Sequence, residues 1–203
     1  MMKRVLAIAL LAGSLGASAQ DGKLPAAKSK AEAAAEAVNY EVVGAPMPPF
    51  YLVTLDTMMD NKQERKAMKN TPGYLRSAQN TKVYSDKYFD NKANLMVMMF
   101  NPTCGHCEDQ TERFKKDIGK FRNTRLILLA NQQMKQYLPN FIANHETVKY
   151  ADKMYVGYDS TDFIKKTFLY QALPQINIYN ADRKLIRTFS GNVSMDTLAQ
   201  YIQ

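Results

Sequence analysis

Cys104 and Cys107 are the only cysteines in the 203-residue chain, separated by Gly105 and His106. Thiols at this spacing can close and reopen a disulfide. The loop they close is very short and constrains an unfolded chain little, so the bond reads as exchangeable rather than as a staple. The motif follows an apolar run, Leu95-Met96-Val97-Met98-Met99-Phe100, and opens an expected helix from Cys104 to about Gly119. A helix start has unpaired backbone N–H groups and the positive end of the macrodipole, and both favour a thiolate at Cys104. That thiolate would attack a substrate disulfide to form a mixed disulfide. Cys107, one turn on, would attack the Cys104 sulfur and expel the substrate thiol. Gly105 keeps the turn compact, and His106 can bring a positive charge or an N–H donor to Cys104.

These residues need a scaffold, and the chain divides accordingly. Lys3 and Arg4, the apolar stretch from Val5 to Leu15 and Ala17-Ser18-Ala19 have the order of an export signal, expected to be cleaved after residue 19. The apolar stretch is too short to read as a lasting membrane span. The expected compartment is the periplasm, where disulfides persist. Residues 20–45, rich in Ala, Lys and Glu, read as a flexible tether. Pro46, Pro48 and Pro49 mark entry to a single domain over 46–203, with its core over about 82–203.

Within that domain, strands are expected at Phe50–Leu55, Leu95–Phe100, Arg125–Ala130, Met154–Tyr158, Gln175–Tyr179 and Lys184–Phe189. Helices are expected at Asp60–Asn70 (stopped by Thr71-Pro72-Gly73), after Cys104, at Gln133–Asn144 with a kink or break at Pro139, at Thr161–Tyr170 and at Met195–Ile202. Residues 74–94 read as irregular, with Tyr84, Tyr88 and Phe89 as packing anchors. Parallel crossovers followed by an antiparallel hairpin define an α/β fold, a mixed central sheet flanked by helices.

Composition narrows the function. The formal charge of +8 is dispersed. Lys62, Arg65, Lys66 and Lys69 alternate with Asp60 and Glu64, and Lys115 and Lys116 follow Glu108, Asp109 and Glu112. These are solvated helix faces rather than a nucleic-acid stripe. A structural zinc site takes about four ligands, and Cys104, Cys107, His106 and His145 are the whole supply; the ligands inside the dithiol turn are badly placed for a tetrahedron. Covalent haem needs His after the second cysteine, where Glu108 stands. Met96, Met98 and Met99 read as core filler. No metal or cofactor beyond the dithiol is expected.

Phe100-Asn101-Pro102-Thr103-Cys104-Gly105-His106-Cys107 resembles the active-site turn of the thioredoxin-like superfamily. Leu173-Pro174-Gln175-Ile176, leading through a hairpin to Gly191, resembles its second landmark. The export signal and the stretch from Val43 to Phe50 are most similar to the exported TlpA/redoxin branch. The resemblance implies a thioredoxin fold with an N-terminal extension and an insert before the proline strand. It implies a cis-proline at Pro174, with the Leu173 backbone pairing to an extended substrate. It also implies protein or peptide thiols and disulfides as substrates, and a membrane or periplasmic redox partner. A Cys-Gly-His-Cys motif is that of protein disulfide isomerases, so oxidase, isomerase and reductase directions all stay open. A peroxiredoxin would carry Thr three residues before its reactive cysteine, whereas Thr103 is adjacent to Cys104. The chain also departs from the pattern: Thr103 stands where most thioredoxins have Trp, Met98 where a buried acid is usual, and Gln110 where many TlpA-like proteins have Glu. The expected activity is an exported thiol–disulfide oxidoreductase; the alternative is a binding or chaperone module on the same fold without redox turnover.

Overall fold

Within the expected domain, the two longest apolar runs become two adjacent strands at the centre of the sheet. The structure, a computed structural model, describes residues 38–55, 81–89 and 92–202. The expected export segment, the tether as far as residue 37 and the expected helix at Asp60–Asn70 with its stop lie outside the described residues. The elements are β1 (Tyr51–Leu55), β2 (Thr81–Ser85), β3 (Asn94–Phe100), α1 (Gly105–Lys116), β4 (Thr124–Ala130), α2 (Leu138–Asn144), β5 (Met154–Asp159), α3 (Phe163–Thr167), β6 (Gln175–Tyr179), β7 (Leu185–Ser190) and α4 (Met195–Ala199). The strands form one sheet in the order β2-β1-β5-β4-β3-β6-β7. β3, β4 and β5 run parallel, and every other pairing is antiparallel.

β3 and β4 are covered on both faces, which is why they read as uninterrupted apolar runs. Alternate residues of each strand go to opposite sides. Met96, Met98, Leu126 and Leu128 pack with Phe114 of α1, Phe141 of α2 and Leu198 of α4. Leu95, Val97, Ile127 and Leu129 pack with Phe50, Tyr179 and Phe163 of α3. Both clusters are buried, and a buried apolar core holds strand ends, and any group mounted on them, in one place.

The differences from expectation have local causes. Residues 81–85, read as irregular, form β2, an edge strand with a single partner, β1. Five residues with Lys82 and Ser85 carry too little alternation to announce a strand. Tyr84, Tyr88 and Phe89 do pack, in a cluster completed by Tyr155; the Phe89–Tyr155 ring centroids are 4.9 Å apart. The expected helix at 133–144 divides into a 3₁₀ turn, Gln132–Tyr137, and α2. Pro139 falls in the first turn of α2, where its missing N–H costs nothing, so it starts that helix rather than kinking it. The last two expected helices shorten to α3 and α4. Residues 38–45, read as the end of a tether, hold to the β6–β7 hairpin instead. Gly44 N–H donates to Leu185 O at 2.8 Å, Leu185 N–H donates to Ala45 O at 2.8 Å, and Tyr40 and Ala45 are buried. Among the described residues no helix is long and apolar enough to cross a membrane.

Candidate active site

β3 delivers the chain to the C-terminal end of the sheet at Phe100, and the next four residues form a braced turn. Asn101 Oδ1 accepts from Thr103 N–H at 3.0 Å and from the Thr103 hydroxyl at 2.9 Å. Cys104 N–H donates to Asn101 O at 3.0 Å. Asn101 thus closes a side-chain-mimicked turn that fixes where Cys104 emerges. The motif alone assigns Asn101 no such role, although Asn-Pro-Thr between a strand and a helix is a turn signal.

Cys104 is the N-cap of α1, with extended backbone (φ −101°, ψ 115°). Its carbonyl accepts from Cys107 N–H at 2.9 Å and from Glu108 N–H at 3.0 Å, so its sulfur stands at the positive end of the helix. Both cysteines are free thiols, Cys104 partly exposed and Cys107 fully buried. The two thiols are close neighbours, and the Cys104 side chain acts on the titration of Cys107. Gly105 and His106 are exposed on the first turn, and Thr103 is exposed just before it. Among the described residues His106 makes no hydrogen bond or ion pair, and no cluster of three or more His, Cys, Asp or Glu is placed to hold a metal ion.

Burial pushes the Cys107 thiol well above its usual range, and the hydrogen bond to Cys104 adds to the rise. A contact with the Asn101 backbone works in the opposite direction. The Coulombic effects of Cys104 and Glu108 raise it further. Iodoacetamide is therefore expected to label Cys104 in the native reduced protein and to reach Cys107 only after denaturation; mass spectrometry of the labelled peptides checks this. The same burial has a pH signature. In the unfolded chain this thiol ionises near its ordinary value of 9.0, while the folded protein keeps it protonated beyond that. The stability from this group is complete below about pH 9 and falls as pH rises above it. Urea midpoints of the reduced protein should decline over that range more steeply than those of Cys107→Ala.

Pro174 arrives from the opposite direction. β6 is antiparallel to β3, with Gln175 opposite Met99, which puts the preceding Leu173–Pro174 step at the sheet end where β3 turns toward Cys104. That peptide bond is cis. Leu173 and Cys104 are both partly buried against the cluster that contains Cys107. The Pro174 carbonyl accepts from Gly191 N–H at 2.8 Å, where Gly191 has a φ of 72° that favours glycine. On the approach side, Gln175 braces the loop. Its Oε1 accepts from Leu169 N–H at 2.8 Å and Tyr170 N–H at 3.1 Å, and its Nε2 donates to Thr167 O at 2.6 Å. A Gln at the start of a buried strand was the signal for this role, and sequence reasoning took it only as part of the motif.

The two departures near Cys107 are structural facts. Met98 and Gln110 are both 0% exposed, so apolar and amide groups occupy the positions where the resemblance implies acids. Glu112, further along α1, faces α2. Its Oε1 lies 2.7 Å from Lys115 Nζ and 2.7 Å from His145 Nδ1. Partial burial opposes ionisation there, but Lys115 and His145 hold the carboxyl below its usual range. His145 is therefore the C-cap of α2 and its link to α1.

An exposed sulfur at a helix N-cap, a buried sulfur one turn behind and a cis-proline across the sheet end together define the class: a thioredoxin-fold protein with a dithiol. Solved structures agree on the fold. The chain is similar to a proposed protein disulfide isomerase from Bacteroides thetaiotaomicron, at 14% identity and a TM-score of 0.55 over 80% of this chain and 89% of that one. It is similar to the thioredoxin domain of a thiol-disulfide oxidoreductase from Bacteroides vulgatus, at 10% identity and a TM-score of 0.51 over 80% and 99%. A reduced 2-Cys peroxiredoxin from Plasmodium vivax shares the fold at 13% identity and a TM-score of 0.52 over 79% and 93%. No protein-family model and no curated protein sequence matches the chain. At these identities the likeness establishes the thioredoxin fold, and the chemistry has to be argued from the site.

Proposed function

We propose that this protein is an exported thiol–disulfide oxidoreductase that exchanges disulfides with protein or peptide substrates through Cys104 and Cys107. One observation carries the reading: the two thiols stand one helical turn apart at the start of α1 yet differ sharply in access. Cys104 can meet a bulky disulfide, while Cys107 can meet only Cys104. That is the division of labour that exchange requires: one sulfur forms the mixed disulfide, the other resolves it. Leu173 and Pro174 are the substrate-binding edge in this reading. Thr103 and Gly105 shape the turn, and His106 tunes Cys104 from its outer side. The protein's redox partner in the periplasm sets whether the dithiol acts as reductase, oxidase or isomerase. Export rests on the signal-like order of residues 1–19.

Partner trapping tests this reading. Cys107→Ala protein should accumulate mixed disulfides with oxidised protein substrates, all through Cys104 and all released by dithiothreitol. Wild-type protein should accumulate none while catalysing insulin reduction or refolding of a scrambled disulfide protein. A wild-type protein that captures unfolded chains with Cys104 blocked, and catalyses no exchange, would instead establish the binding-module alternative.

A further inference from the structure

Gln110 lies on α1 one turn beyond Cys107, and both side chains are 0% exposed. Residues three apart on a helix share a face. Gln110 Oε1 accepts a hydrogen bond from Val193 N–H at 2.7 Å. A backbone N–H can bond only the oxygen end of the amide, so this contact settles which end is which. The nitrogen end, Nε2, is then left buried without a hydrogen-bond partner. A buried donor with no acceptor is costly, and in a folded protein it calls for a reason.

Cys107 supplies one. To attack the Cys104–substrate disulfide, its sulfur must become an anion where water does not reach. The charged group that acts on it in that state, Glu108, favours the protonated thiol. The strands and helix packed around it, β3, β6 and α4, bring Met98, Ile176 and Leu198 to the same cluster. A neutral donor fixed in that cluster stabilises an anion without carrying charge into the core.

We propose that Gln110 Nε2 donates a hydrogen bond to the Cys107 thiolate as it forms, so that Gln110 stabilises the attacking sulfur in the second step of exchange. This rests on the exchange reaction proposed above. In that step Cys107 gives up its proton and its sulfur bonds to Cys104 Sγ. The bond between Cys104 and the substrate sulfur breaks, and its electron pair leaves on the substrate sulfur, which ends with the proton that Cys107 gave up. Gln110 transfers no proton; it lowers the cost of the charge. In the resting dithiol the neutral Cys107 thiol asks for no such donor, and Nε2 waits unpaired.

The test separates the two sulfurs in time. Reduced protein is mixed rapidly with an aromatic disulfide whose released thiolate absorbs light. The first equivalent reports attack by Cys104 and the second reports resolution by Cys107. Gln110→Met removes both ends of the amide; Gln110→Glu keeps an oxygen for Val193 N–H and, once ionised, offers no donor. Both variants are expected to leave the first phase unchanged and to slow the second about tenfold or more, the scale of a hydrogen bond to a charged group. In Gln110→Glu the second phase should slow further as rising pH ionises the new carboxyl, whereas in wild type it accelerates as Cys107 ionises. A slow Gln110→Met beside a wild-type-like Gln110→Glu would overturn the proposal in favour of a purely structural tether to Val193. A faster second phase in Gln110→Glu would overturn it by showing that the site lacks a base rather than a donor. Should Gln110→Met fail to fold, the sign of the pH dependence in Gln110→Glu decides alone. Absence of a second phase in the wild-type protein would count against the exchange reaction itself.

Discussion

Cys104→Ser is expected to abolish disulfide exchange, lowering insulin reduction roughly 10⁴-fold or more, the scale on which loss of a covalent nucleophile acts. The reason is access. Cys107 is fully buried, and burial holds it as a neutral thiol, so it cannot take over the first attack. Serine at the N-cap should preserve or improve the helix start, because the cap makes no side-chain hydrogen bond as it stands and serine is a preferred capping residue. The variant should therefore melt no lower than the reduced wild type while being inactive. Cys107→Ser behaves differently: the first attack survives, and mixed disulfides pile up. Residual turnover in Cys104→Ser above that of a double cysteine variant would refute the assignment of roles.

The largest effect on stability is expected at a residue without a side chain. Gly157 on β5 lies opposite Thr54 of β1. A Cβ added there would collide with Val53 O and stand 2.8 Å from Val53 C, with Leu52 Cδ1 at 2.9 Å. The first two are backbone atoms of a paired strand and cannot rotate away. Gly157→Ala should thus force β1 off the β5 edge and cost about 3 kcal/mol, the upper part of the range for overpacking. Urea unfolding measures this, and a cost under about 1 kcal/mol would mean that β1 does not sit as described. Exchange activity per folded molecule should survive, because the dithiol hangs from β3, two strands further in.

These two positions show which features announce themselves in a chain of residues. The dithiol, its strand and its helix were legible because each is a local pattern: an apolar run, a turn signal and two thiols at fixed spacing. The hairpin of β6 and β7 was legible for the same reason. The strand β2 was not, because its residues carry no strong period and its partner β1 lies across a long stretch of sequence. The docking of residues 38–45 was equally hidden, since it rests on backbone hydrogen bonds between Gly44, Ala45 and Leu185, a residue far along the chain. Gln110 was noted only as a departure. That its amide is anchored at one end and unpaired at the other depends on Val193, far along the chain.

The sequence by itself determined the chemistry that is available. It contains one pair of cysteines, set at the junction of a buried strand and a helix, with a proline landmark downstream. It did so because reactivity at a helix start is a property of neighbouring residues. The tertiary structure decided how that chemistry is divided. It made Cys104 reachable and Cys107 unreachable, brought Leu173 and Pro174 to the same sheet end, set Cys107 in an apolar cluster and buried the Gln110 amide on the same helix. Burial and cross-strand register are sums over residues far apart in the chain, so only the folded packing could settle them.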